Sequence, residues 1–154
     1  MIVDLATHLD AAPETIWNYV TRPATFVHVS WPVMIFVSRE RGGFPERWQA
    51  TPHRVWMFAF GFIPYGAQTI HISYGPHEDG VQRLHDAGVG WVARVWDHHI
   101  SVTPDGDGAL YRDRVRVEAG LLTPGVWMFA ALFFRWRQMR WRALVKRGFK
   151  SIAS

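Results

Sequence analysis

Between residues 32 and 120 this chain reads as one strand after another, and then a single long helix takes over. Candidate strands lie at 33–39, 46–51, 54–62, 66–75, 80–88, 92–103 and 109–119, separated by clusters of Gly, Pro and Asp. Connections this short predict hairpins, and hairpins make the sheet antiparallel. Thr123-Pro124-Gly125 opens the last segment, 124–151, which the pattern predicts as one helix of roughly 40 Å. Along it Trp127, Ala130, Ala131, Phe134, Trp141, Leu144 and Val145 recur at helical spacing, while Arg and Lys gather toward its C-terminal half. A helix so apolar at its start must lie against the sheet.

The first thirty residues carry different signals. Residues 2–10 alternate Val3, Leu5, Thr7 and Leu9 against Ile2, Asp4, Ala6 and His8, a strand with one buried face. Pro13 then suits a helix start, Glu14 suits the positive helix end, and Pro23 stops that helix and opens a second short one over 23–29. No repeat or linker interrupts the chain, which predicts one domain over 1–154.

Composition narrows the function. Aromatic residues make up 15% of the 154, with nine Trp and ten Phe. So many rings demand a generous core or an apolar pocket walled by them. Cys is absent, which excludes disulfides and thiolate chemistry. The N-terminus carries no signal-peptide pattern and no apolar run reaches the roughly 20 residues of a membrane span, so a cytoplasmic protein is the expectation. The net charge of +4 admits anionic partners. The Arg residues fall mainly on solvent-facing strand positions or in one helix, which argues against nucleic acid.

Two hairpins hold the residues able to do chemistry. In 95–103 with 109–117, a register joining the apolar faces sets Trp96 opposite Val115, His98 opposite Asp113 and Ile100 opposite Tyr111. It predicts a buried His98–Asp113 pair. That pair admits three roles: two polar groups satisfying each other, a ligand anchor, or a general base oriented by a carboxylate. In 66–75 with 80–88, placing Ile72 opposite Leu84 turns Tyr74, Gln82 and Asp86 inward as polar contacts. It also sets His71 opposite His85 outside, two imidazoles without a third ligand, so neither metal nor cofactor is expected. Asp105-Gly106-Asp107-Gly108 is turn chemistry rather than a calcium loop.

Strand, two short helices, antiparallel strands and a long terminal helix resemble the START/Bet v 1-like (SRPBCC) superfamily, including polyketide cyclase-like bacterial members. The local signs are Ala11-Ala12-Pro13-Glu14-Thr15-Ile16-Trp17, Phe60-Gly61-Phe62-Ile63-Pro64-Tyr65-Gly66, Trp96-Asp97-His98-His99-Ile100 and Tyr111-Arg112-Asp113-Arg114-Val115. The resemblance implies an α+β helix-grip fold, a curved seven-stranded antiparallel sheet around the C-terminal helix, with an apolar cavity between them. A small hydrophobic ligand would then meet Trp96, Ile100, Tyr74, Tyr111 and the early helix face, Trp127 and Phe134, in a cavity of about 300–1,000 Å³. His98 and Asp113, with Gln82 or Asp86, would fix its polar end. The rival readings are a cyclase or dehydratase using His98 and Asp113, and an interaction protein whose aromatics fill the core. The basic, Trp-rich C-terminal helix admits weak membrane-surface contact, and exposed rings and strand edges admit a homodimer.

Overall fold

The computed structural model describes residues 1–152. Strand β1 (Ile2–Leu9) leads into helices α1 (Pro13–Val20) and α2 (Pro23–Ser30). Six strands follow: β2 (Met34–Ser38), β3 (Pro52–Ala59), β4 (Ile63–Tyr74), β5 (Gln82–Gly90), β6 (Val95–Asp105) and β7 (Gly108–Glu118). One 3-10 turn, Gly120–Leu122, opens into α3 (Thr123–Lys146). The seven strands form one antiparallel sheet in the order β1-β7-β6-β5-β4-β3-β2. This is the helix-grip arrangement, with the sheet curved around α3.

Local chemistry sets the helix limits. Pro stands in the first turn of all three helices, where its missing N–H costs nothing. The last helix stops at Lys146, short of 151, because Gly148 turns left-handed at φ 59°. Phe149 then folds back and stacks on Tyr19 at 3.9 Å.

Along β7, Tyr111, Asp113, Val115 and Val117 are buried while Arg112, Arg114 and Arg116 face water, the period-two pattern of a half-buried strand. Opposite them α3 buries Val126, Ala130, Phe133, Phe134, Arg137, Gln138, Trp141 and Leu144.

Three expectations need correction. Residues 46–51 are not a strand. Gly42, Gly43 and Pro45 break the pattern, and Trp48 alone turns in, its backbone N–H donating to the Thr21 carbonyl at 2.8 Å. The β6–β7 register is shifted by two residues: Trp96 faces Val117, His98 faces Val115 and Ile100 faces Asp113. The cause is the turn, which has only two residues, with Gly106 at φ 58° and Asp105 paired to Gly108. The β4–β5 register is likewise shifted, with Ile72 opposite Asp86 and Tyr74 opposite Leu84. A slip of two leaves every side chain on its predicted face, so the burial pattern cannot detect it.

Candidate functional site

Two contiguous spaces lie between the sheet and α3. The outer, about 50 Å³, is bounded by Tyr65, Val92, Trp96, Phe129 and Phe133. The inner, about 30 Å³, is bounded by Val29, Leu84, Ile100, Tyr111 and Trp141. Phe26, Ile70, Asp86, His98 and Arg137 border both. The space is far smaller than expected because rings occupy it: Phe129 stacks on Tyr65 at 5.8 Å and on Phe133 at 5.9 Å, and Trp96 stacks on Phe134 at 6.0 Å.

Under the inner space Asp113 is a fully buried hub. His98 Nε2 and the Tyr111 hydroxyl each donate to its Oδ1 at 2.9 Å, and the Gln138 amide donates to Oδ2 at 3.4 Å. Burial alone would raise the Asp113 pKa. The hydrogen bonds from His98 and Tyr111 and the positive charge of Arg137 outweigh it and hold the carboxyl below its ordinary value. Burial also pushes the His98 pKa down, in spite of Asp113. These directions fit a neutral imidazole donating its proton to a carboxylate. The His98–Asp113 pair is therefore present, joined diagonally across the ladder rather than face to face.

Asp86 and Arg137 are different in kind. The Asp86 carboxyl accepts one backbone N–H, from His71 at 3.1 Å, and burial pushes its pKa up to about 7. It can carry or release a proton near neutrality. Arg137 is buried with its guanidinium 5.0 Å from the Phe134 ring centre and 5.7 Å from that of Phe26, and its Nε has no hydrogen-bond partner. Sequence reasoning placed Arg137 only among the basic residues that gather toward the C-terminal half of the last helix. Its place in the stripe Ala130, Phe134, Arg137, Trp141, Leu144 is the signal that could have found it.

The other candidates divide cleanly. Trp96 and Phe134 border the outer space, Ile100 and Tyr111 the inner. Tyr74 sits elsewhere, half exposed, its hydroxyl donating to the Trp48 carbonyl at 2.8 Å. Trp127 donates its indole N–H to the Ile2 carbonyl at 2.8 Å, at the sheet edge. Gln82, opposite Val102, borders neither space.

On the outer face the predicted His71–His85 pairing is replaced. His85 lies opposite His99, and the two rings stack at 4.1 Å. Both point Nε2 at Asp97 Oδ1, at 2.5 and 3.1 Å, which gathers three metal-ligating atoms within 4.8 Å of one another. Arg114 and Arg116, opposite His99 and Asp97, add positive charge that works against a cation there.

Comparison with known families matches residues 7–145 to the family described as "Domain of unknown function (DUF8410)". The chain belongs to that family. No curated protein matches it. Among solved structures, a START superfamily protein from Mycobacterium smegmatis is 15% identical with a TM-score of 0.61, covering 95% of this chain and 97% of that one. The Zhui aromatase/cyclase from Streptomyces sp. R1128 is 8% identical with a TM-score of 0.63, covering 100% and 98%. Ara h 8.0201 is 10% identical with a TM-score of 0.64, covering 96% and 98%. At these identities the likeness establishes a START/Bet v 1-like fold and nothing finer. Among the described residues no helix is long and apolar enough to cross a membrane.

Proposed function

We propose that this protein binds an apolar molecule, lipid-like or polyketide-like, between the sheet and α3, with the ligand's polar end at Arg137, Asp86 and His98. The observation that carries this reading is Arg137. A guanidinium set among aromatic rings, with a buried donor left unpaired, is costly unless something completes it. A ligand carboxylate, enol or phosphate would do so. Entry requires Phe129 and Phe133 to swing aside, because the present space admits no ligand of several rings.

The test is native mass spectrometry of freshly purified protein, followed by organic extraction. The expected result is a stoichiometric apolar compound bearing a polar or acidic group, retained far less well by Arg137→Met. A clean protein mass, with no thermal stabilisation by fatty acids, sterols or polyaromatics, would overturn the proposal in favour of a filled core.

A second reading, a cyclase-like enzyme, is favoured by one feature. The carboxyl best placed to exchange a proton is Asp86, which borders both spaces and titrates near neutrality. His98 and Asp113 are occupied with each other. For an enzyme, Asp86→Asn would bind ligand and lose turnover, whereas a carrier would retain ligand with altered affinity and have no turnover to lose.

A further inference from the structure

The two ends of the sheet are built from opposite kinds of residue. The β2–β3 connection, 39–51, holds Arg39, Glu40, Arg41, Glu46 and Arg47, and the β4–β5 connection, 75–81, holds His77, Glu78 and Asp79. At the other end the β3–β4 turn, 60–62, is Phe-Gly-Phe, the β5–β6 connection, 91–94, is Trp-Val-Ala-Arg, and 119–122 before α3 is Ala-Gly-Leu-Leu. Those three segments contain no acidic residue and one basic residue, Arg94. Antiparallel order brings all three to the same end.

Nor are these apolar residues folded inward. Phe62 is 75% exposed, Trp91 84% and Leu121 101%, with Phe60, Leu122 and Met128 also exposed. Trp91 stands against Gly66 of β4, where an added Cβ would lie 3.7 Å from the Trp91 Cβ. The outer space reaches this end of the sheet: its border includes Val92 and Ala93 of one of these segments, Tyr65 near the start of β4, and Val126 and Phe129 in the first turns of α3. A cluster of this kind on a monomer marks a contact surface.

From this placement we infer that the apolar end docks on a lipid bilayer, with Phe62, Trp91 and Leu121 entering the headgroup–acyl boundary. Three points select lipid over a protein partner. The patch lies at the end of the sheet where Val92, Ala93 and the first turns of α3 border the outer space, and a bilayer there lets an apolar ligand pass without crossing water, whereas a docked protein would seal it. Trp91 combines a large ring with an N–H, the side chain that interfaces between water and lipid favour. The protein is basic overall, the three segments hold no acidic residue, and Glu118 next to them is paired with Arg116, a balance that suits an anionic surface. This contact uses the start of α3, not the basic half of that helix, where Arg137 is buried and Arg140 donates to His28. The inference leans on the cavity reading only for the benefit of docking, not for the docking itself.

The test is vesicle flotation of the full chain, without added ligand, using phosphatidylcholine and phosphatidylcholine–phosphatidylglycerol vesicles. Binding is expected to both and stronger to the anionic ones. Each of Phe62→Ser, Trp91→Ser and Leu121→Ser is expected to weaken partitioning about tenfold. Thermal melting and any co-purified ligand should remain. The contrasting variants Arg41→Ser and Glu78→Ser, at the polar end, should bind like wild type. Failure to float, or flotation indifferent to the three apolar substitutions, overturns the inference. So does a dimer that those substitutions dissolve while vesicles are ignored, since a second copy would then cover the patch. Flotation with a ligand-free mass would instead sink the cavity reading and leave the docking standing.

Discussion

Strands β5 to β7 carry His and Asp on both faces, and the two sets behave differently. On the inner face His98 and Asp113 sit 2.9 Å apart with almost no exposure, inside a network that also holds Tyr111 and Gln138. On the outer face His85, Asp97 and His99 are equally close, yet about a third or more of each side chain meets water. Both sets rest on a His–Asp pair at hydrogen-bond distance, but their exposure to solvent differs. Burial makes the inner bonds obligatory, because each unpaired group there would lose its hydration with no replacement. Outside, water competes for every partner and screens every charge.

The sharpest way to break that comparison is Asp113→Ala. It strands three buried donors and should lower unfolding free energy by about 3–5 kcal/mol, read by urea denaturation. A loss below about 1 kcal/mol would place the network with the outer one.

Asp86→Asn should come next, and its sign depends on pH. The folded carboxyl holds its proton up to about pH 7, while the unfolded one loses it near its ordinary value of 3.8. Asp86 therefore contributes stability at low pH that is lost as pH rises from about 4 through 7. The amide cannot ionise, so the variant should match wild type near pH 4 and exceed it above pH 7, by on the order of 2–4 kcal/mol. Equal gains at all pH values would show that Asp86 does not titrate in this range.

The smallest effect is expected at Asp97→Ala, less than about 1 kcal/mol and shrinking as salt is added. Burial raises the Asp97 pKa, but the hydrogen bonds and positive charges of His85 and His99 together outweigh it and hold the carboxyl low, so what it contributes should fade as pH falls into the acid range. An effect as large as that of Asp113, insensitive to salt, would erase the distinction between the faces.

How much was legible follows from the same physics. The alternation of β7 announced which of Tyr111, Arg112, Asp113 and Arg114 point inward, because a strand's period is two and a buried face must be apolar or paired. The register was not legible, since His98 opposite Asp113 and His98 opposite Val115 bury the same side chains. Arg137 was hidden for another reason: its type says solvent and its helical position says core, and here position wins. Tyr74 and Trp127 were apolar enough for the cavity, but their polar atoms found backbone carbonyls at the edges instead.

By itself, then, the sequence determined most of the strands and helices, the inward faces and the burial of His98 and Asp113, because these rest on local periodicity; the helix-grip fold followed from the resemblance of the whole pattern to a known superfamily. Tertiary structure alone decided the two-residue turn that set the β6–β7 register, the narrowness of the cavity and the burial of Arg137. It also decided the gathering of Phe62, Trp91 and Leu121 at one end of the sheet. Apart from that turn, where several local geometries fit the same Pro-Asp-Gly-Asp-Gly run, these depend on which distant segments meet, and no short-range pattern carries that information.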